Sequence, residues 1–336
     1  MSGLARVPLV HGPTPLVKRP ALDAWLGVDL WIKRDDATGG AEAGNKVRKL
    51  ELLLGDALGS GADTVVTCGG LQSNHARATA LACASLGLGC VLLLRVAEPD
   101  RTPLPRDGNV LLDRLAGAQI RLVSHAQYAR RAEVMKDVAQ ELRASGKRPY
   151  VVPEGGSNGL GSLGYVDGMG EVRAQLDAGH PCGRASFDVV VHACGSGGTA
   201  AGVALGAAHH RVAQSVRAMA VCDSAAYFDA VIARIVDEAR ALDPSLGPPA
   251  PVVVDDASKG PAYAVSTREQ RATIVRVART AGLALDPAYT GKAMHGLRLA
   301  IDRGDVAPGA RVLFLHTGGL PGLLAAGGDF GEDELG

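Results

Sequence analysis

The chain has 336 residues, enough for two domains or one large one, so a sizeable core is expected. Lys plus Arg and Asp plus Glu total 35 each, and this zero formal charge without a long basic run argues against nucleic acid or an anionic membrane surface as partner. No apolar stretch approaches the roughly 18 residues needed to span a bilayer, and the start Met1 to Pro8 holds no apolar signal core, so a small-molecule partner and a cytoplasmic location are expected.

In chain order, Trp31 to Asp36 reads as a charged strand end, followed by a helix whose mouth carries Lys46 in Ala43-Gly44-Asn45-Lys46-Val47-Arg48-Lys49. Next come a strand over Asp63 to Cys68, a helix from about Asn74 and a strand over Cys90 to Leu94. The pattern continues through a strand at Gln119 to Val123, a helix over Ala129 to Ala144 stopped by Gly146, and a strand at Pro149 to Pro153. A second series has strands at Phe187 to Val191, Val216 to Val221 and Arg311 to Leu315, with Gly247 to Pro251 as a rigid surface connection. Strand-helix-strand alternation predicts an α/β protein of two doubly wound units with largely parallel sheets. The expected division is a large domain of residues 1–47 and 161–336 and a small domain of residues 48–160, with the acidic tail Gly327 to Gly336 frayed.

Cys68, Cys83, Cys90, Cys182, Cys194 and Cys222 lack the paired spacing of a zinc or redox site and read as reduced core residues. No metal is expected. The 44 glycines gather instead in loops after apolar strands, where backbone N–H groups approach a ligand. Gly195-Ser196-Gly197-Gly198-Thr199 follows a strand and opens a helix, which makes an anion cradle of successive N–H groups with two hydroxyls beside them. It is neither a Walker loop nor a dinucleotide fingerprint, so a cofactor phosphate fits it better. Ser73-Asn74-His75 ends another strand, where Ser73 or Asn74 is also a fit N-cap. Thr317 ends a third, and Tyr289-Thr290 sits in a turn leading into a helix. A phosphate cradle, a lysine at a helix start and several polar strand ends together suggest pyridoxal 5'-phosphate, whose aldehyde a lysine amine holds as an imine.

The chain resembles the branch of fold type II pyridoxal-phosphate enzymes, those with the tryptophan synthase β-subunit fold, that contains D-cysteine desulfhydrase and aminocyclopropanecarboxylate deaminase. The matching motifs are Pro13 to Leu16, Lys33 to Asp36, Gly44 to Glu51, Gln72 to His75, Gly195 to Thr199, Asp286 to Lys292 and His316 to Gly319, in the family's order along nearly the whole chain. The resemblance implies that Lys46 is the Schiff-base lysine, that Lys49 and Gly195, Ser196, Gly197, Gly198 and Thr199 hold the phosphate, and that Asn74 faces the ring hydroxyl. Ser73 would meet the substrate carboxylate or move a proton, Tyr289 and Tyr263 would line the reacting face, and Thr317 would lie by the pyridine nitrogen. Substrate choice would rest on Ser73, Asn74, His75, Glu154 and Thr290.

The ring-opening deaminases typically carry Glu where Thr290 stands and Gln where His75 stands, which points towards a desulfhydrase acting on D-cysteine. Glu154 and the Ala262-Tyr263-Ala264 context depart from the usual desulfhydrase pattern and keep a cysteate lyase, a deaminase or a β-replacement enzyme open. A Glu154 facing the pocket would repel a sulfonate. A non-catalytic amino-acid binder would need no imine-forming lysine. A small amino acid as substrate and a homodimer are expected from the family.

Overall fold

The computed structural model describes residues 3–183 and 185–336. Its ten strands are β1 Leu16–Lys18, β2 Asp29–Lys33, β3 Thr64–Gly70, β4 Gly89–Arg95, β5 Gln119–Val123, β6 Pro149–Val151, β7 Phe187–Cys194, β8 Ala213–Ala220, β9 Val252–Asp255 and β10 Arg311–Leu315. They form two sheets. The larger has the order β1-β2-β10-β7-β8-β9 and the smaller β5-β4-β3-β6. Every pairing is parallel except that of β1 with β2. The α/β architecture expected from the alternation is therefore present, with helices over both faces of each sheet, as parallel strands buried on both sides require.

Two strands escape the sequence pattern. β1 has only three residues and pairs antiparallel at an edge, and β9 follows the proline-rich segment with half-buried Val252 and Val254 flanking an exposed Val253. The expected single helix from Ala129 to Ala144 is two. Ser124 caps His125–Ala129 through a capping box with Gln127, and Arg130, at φ −102° and ψ 31°, breaks the run before Arg131–Ala144. The tail is not frayed. Phe330 packs on the large core, Glu332–Leu335 is helical, and Glu334 pairs with Arg271 at 2.9 Å.

Leu30, Ile32, Val191, Phe314 and Leu285 on one face of the large sheet, and Phe187, Val190, Leu313 and Tyr165 on the other, form its cores. Val65, Leu92 and Leu94 with Leu50 and Leu53, and Val66, Val91 and Leu93 with Met135, do the same for the small sheet. The strands of the small sheet all lie between residues 64 and 151. The expected domain limits fall in the first turns of two continuous helices, Asn45–Gly59 and Gly159–Asp177, which pack on each other. Glycine permits that contact, because a Cβ on Gly164 would lie 2.1 Å from the carbonyl oxygen of Arg48. Helix Gly198–His209 crosses Gly159–Asp177 as closely, with Gly202 against the Ser162 carbonyl.

The base of helix Asn45–Gly59 is fixed by a buried polar network. Arg48 donates to Asp35 at 2.8 and 2.9 Å and to Glu171 at 2.9 Å, and the Tyr165 hydroxyl donates to Asp35 at 2.7 Å. Lys33 adds bonds to Glu171, to the Gln175 side chain and to the carbonyl of Thr14. Burial pushes the Asp35 carboxyl up, but Arg48, Lys33 and Tyr165 outweigh it and hold the group at about 2. The helix mouth is thereby set at the carboxyl ends of β10 and β7, where open parallel sheets bind ligands.

Candidate active site

Lys46 is the second residue of helix Asn45–Gly59. Three bonds fix this helix start: the Asn45 amide donates to Thr317 O at 3.1 Å, the Asn45 side chain to Thr199 Oγ1 at 3.0 Å, and the Gly44 amide to Thr38 Oγ1 at 2.8 Å. Asn45 thus ties together the loops after β10 and β7. Arg77, from helix Asn74–Ser85, adds bonds to the carbonyls of Ala41 and Ala43. The Lys46 amine has no hydrogen-bond or ion-pair partner among the described residues. Burial pushes its pKa down, the Glu154 charge offsets part of this, and the result is about 8 against a usual 10.5.

A pocket opens around this amine. Lys46, Asn74, Tyr289 and Thr317 line it together with Gly195, Ser196, Gly197 and Thr199. Asn45, Ala193, Cys194 and Ala200 complete the wall. Asn74 Oδ1 is buried without a hydrogen-bond partner and therefore awaits a donor.

Lys49 lies one turn beyond Lys46 and donates to Gly155 O at 3.1 Å and Ser157 Oγ at 3.3 Å. Burial and the neighbouring Lys46 charge hold its pKa well below the usual lysine value. Ser157 also meets Ser196 Oγ at 2.8 Å and accepts from the Gly198 amide at 3.3 Å. Sequence reasoning missed this role of Ser157; the signal was its place at the end of the Gly155-Gly156 turn. Gly155 has φ +66°, and a Cβ there would fall 2.2 Å from Ser196 Oγ, so both its conformation and the room beside the cradle require glycine. A Cβ at Gly198 would lie 2.8 Å from Lys49 Nζ. A lysine amine, hydroxyls and a glycine-only backbone thus meet at the start of helix Gly198–His209, which is donor chemistry suited to a phosphate.

Tyr289 and Tyr263 meet hydroxyl to hydroxyl at 2.5 Å, their rings edge-on at 5.7 Å. Burial raises both, Tyr263 to about 12 and Tyr289 well above its usual value, so both stay neutral donors. Lys292, unremarked in the sequence reading, holds the Tyr263 segment through the carbonyls of Lys259 at 2.6 Å and Ala262 at 2.8 Å.

Ser73 caps helix Asn74–Ser85, its Oγ accepting from the Ala76 amide at 3.2 Å, and it remains free to donate. Gly69 leaves room for it, since a Cβ there would lie 2.4 Å from Ser73 Oγ. Of the expected substrate contacts only Asn74 is among the residues lining the cavity; Ser73, His75, Glu154 and Thr290 are not. Thr290 Oγ1 donates to Asp286 Oδ1 at 2.7 Å and accepts from the Asp286 amide at 2.8 Å, so its hydroxyl closes the turn before its own helix. The His75 ring turns back to Thr67 at 2.9 Å. Thr67 gives its one proton to Val152 O, so His75 Nε2 donates and Nδ1 carries the lone pair. Burial and the charges of Lys46 and Lys49 keep this imidazole neutral. Glu154 accepts from the Tyr128 hydroxyl at 2.5 Å and pairs with Arg131 at 2.8 Å. The condition for a repelling Glu154 is not met, because it is not among the residues lining the cavity and its carboxylate is turned to Arg131 and Tyr128.

Two parallel-rich sheets with an unpartnered, low-pKa lysine facing a phosphate-type cradle define a site for an aldehyde cofactor. The chain belongs to the pyridoxal-phosphate dependent enzymes, whose family model matches residues 7–318. Within them it is of the aminocyclopropanecarboxylate deaminase and D-cysteine desulfhydrase type, a pyridoxal-phosphate lyase. It is 41% identical to the bifunctional D-cysteine desulfhydrase/1-aminocyclopropane-1-carboxylate deaminase of Arabidopsis thaliana, over 94% of this chain and 78% of that one. It is 40% identical to the D-cysteine desulfhydrase of Yersinia pestis, over 95% of each chain. A crystal structure of an ACC deaminase homologue superposes with a TM-score of 0.86 at 35% identity, covering 98% of this chain and 96% of the other. Among the described residues no helix is long and apolar enough to cross a membrane, and no cluster of metal-ligating side chains occurs.

Proposed function

We propose that the enzyme removes the β-substituent of D-cysteine, turning D-cysteine and water into pyruvate, hydrogen sulfide and ammonia. The observation that carries this reading is the bare Lys46 amine, with a pKa of about 8, in the cavity that Tyr289 also lines. Bound pyridoxal phosphate supplies an electron sink for the carbanion formed when the Cα proton leaves. In this reading Lys46 holds the cofactor aldehyde and Lys49, Ser196, Thr199 and the amides of Gly195, Gly197 and Gly198 hold the phosphate. Asn74 Oδ1 accepts from the ring hydroxyl, and Thr317 stands at the ring nitrogen. Ser73 and the Asn74 amide receive the substrate carboxylate. Either the freed Lys46 amine or Ser73 accepts the Cα proton, and the Tyr289–Tyr263 pair, neutral at pH 7, donates to the departing sulfur.

D-cysteine is favoured over aminocyclopropanecarboxylate because Thr290 stands where the ring-opening deaminases of the resemblance carry Glu, and its hydroxyl is committed to Asp286. On the same resemblance we propose a cytoplasmic homodimer with the domain division 1–47 plus 161–336 and 48–160. The deciding assay offers D- and L-cysteine, β-chloroalanine, cysteate and aminocyclopropanecarboxylate, and scores keto acid and sulfide. Keto acid and sulfide from D-cysteine are expected. Keto acid from aminocyclopropanecarboxylate alone sinks the reading.

A further inference from the structure

Behind Tyr263, the partner of Tyr289, lies a cation that no carboxylate claims. Arg95 ends β4, in register with Gly70 at the end of β3, where the chain turns into the Gln72 to Asn74 segment. Its guanidinium lies 4.8 Å from the Tyr128 ring and 5.4 Å from the Tyr263 ring. The Tyr263 ring in turn lies over Gly70, where a Cβ would come within 2.7 Å of it. Arg95 has no hydrogen bond or ion pair among the described residues, so its N–H fork stays free while the two rings flank it. The neighbouring charges are Arg131 and Glu154, which pair with each other. Two guanidiniums against one carboxylate leave this wall with one net positive charge.

The wall is joined to the reacting face. Tyr263, against which Arg95 stacks, is bonded to Tyr289, and Tyr289 lines the cavity with Lys46. The Glu154 charge also raises the pKa of Lys46, so Glu154, whose partner Tyr128 carries Arg95 on its ring, is within electrostatic reach of the amine. We propose that Arg95 is a specificity-determining residue that receives an anionic group on the substrate side chain, so that the site selects amino acids whose β-substituent is a thiolate, sulfinate, sulfonate or carboxylate over neutral ones. This rests on the lyase reading and reverses the expectation that Glu154 excludes a sulfonate. The stacked guanidinium offers such a group a charge-assisted fork without first breaking an ion pair.

The test uses the cofactor-loaded enzyme, its R95Q and R95K variants and E154Q, with folding checked by circular dichroism. Calorimetry measures the binding of aspartate and of alanine, each as both enantiomers, and kinetics compare KM for cysteate with KM for β-chloroalanine. In the wild type the aspartate-to-alanine affinity ratio is expected to exceed tenfold at low salt. R95Q lowers that ratio about tenfold, R95K keeps part of it, and E154Q, which removes the one negative charge of the wall, raises it. A ratio unchanged in R95Q, or equal losses for both ligands, overturns the proposal, since equal losses are what a mere support for Tyr263 would produce. E154Q moves the ratio in the opposite direction and decides the matter if R95Q does not fold. Absence of sulfide from D-cysteine would end the desulfhydrase reading without touching this ratio, so the two fail separately.

Discussion

Helix Asn45–Gly59 turns two neighbouring cations to opposite fates. Arg48 donates to Asp35, Glu171 and Thr14, whereas Lys46, two residues earlier, meets no partner among the described residues. Burial alone would penalise both charges. The difference is that the first site supplies two carboxylates and the second supplies a cavity, so one residue holds the fold and the other stays reactive. Satisfied polar groups here mark the frame, and unsatisfied ones mark where a ligand's atoms are expected.

The largest effect expected from breaking this contrast is Lys46→Ala. It should abolish the visible absorption of the loaded enzyme and cut turnover by at least about a thousandfold, the scale of ~4 kcal/mol of transition-state stabilisation. Thermal stability should hold or rise, since an unpaired buried amine is removed. Absorption that survives the change and resists borohydride would show that another group holds the aldehyde. In the wild-type apoenzyme the amine reacts only when deprotonated, so the rate of cofactor uptake should climb with pH around a midpoint near 8 and not near 10.5. Arg48→Met should do the opposite of Lys46→Ala. It strands Asp35 and Glu171 and should cost about 3–5 kcal/mol of stability, read as a fall in the urea midpoint, while the surviving folded protein keeps its colour.

The same contrast explains what was legible in the sequence. Lys46, the Gly195 to Thr199 loop and Thr317 could be placed because each sits at a strand end or helix start, and such positions are visible as local composition. Arg95, Ser157 and Lys292 could not, because their work lies in contacts across the fold, such as the 2.8 Å meeting of Ser157 with Ser196. Thr290 and His75 misled for a related reason. They flank cavity residues in sequence, but a turn and a helix start point their polar atoms inward, to Asp286 and Thr67. The α/β alternation was clear, whereas β1 and β9 are short edge strands whose pairing depends on a neighbour.

A smaller effect belongs to Lys49, which stands between the two extremes, bonded only to a carbonyl and a hydroxyl. If it serves the phosphate, Lys49→Met should weaken cofactor affinity by about 1.5–3 kcal/mol, the worth of hydrogen bonds to a charged group. Added pyridoxal phosphate should then restore most of the turnover. Turnover that stays low at saturating cofactor would instead assign Lys49 to the chemistry.

The smallest expected effect sharpens the contrast in carboxylates. Asp35 is paired, and its pKa is held at about 2. Asp113 on helix Gly108–Leu115 is fully buried with neither oxygen hydrogen-bonded, and burial, opposed only by the Arg77 charge, raises it to about 7. The two therefore have opposite slopes. For Asp35 the folded state releases its proton more readily than the unfolded chain, so its stabilisation is present above the usual 3.8 and is lost as pH falls towards 2. For Asp113 the folded state keeps a proton that the unfolded chain gives up, so its contribution is present below 3.8 and is lost as pH rises through 7. Asp113→Asn, a neutral replacement of the same shape, should be more stable than wild type at pH 8, by a smaller margin at pH 5, and close to it only below about pH 4, as read from urea midpoints. Asp35→Asn should be less stable at both. Equal destabilisation of Asp113→Asn at the two pH values would mean that this carboxylate is ion-paired with Arg77 in solution, and that the second unpartnered group belongs to the frame after all.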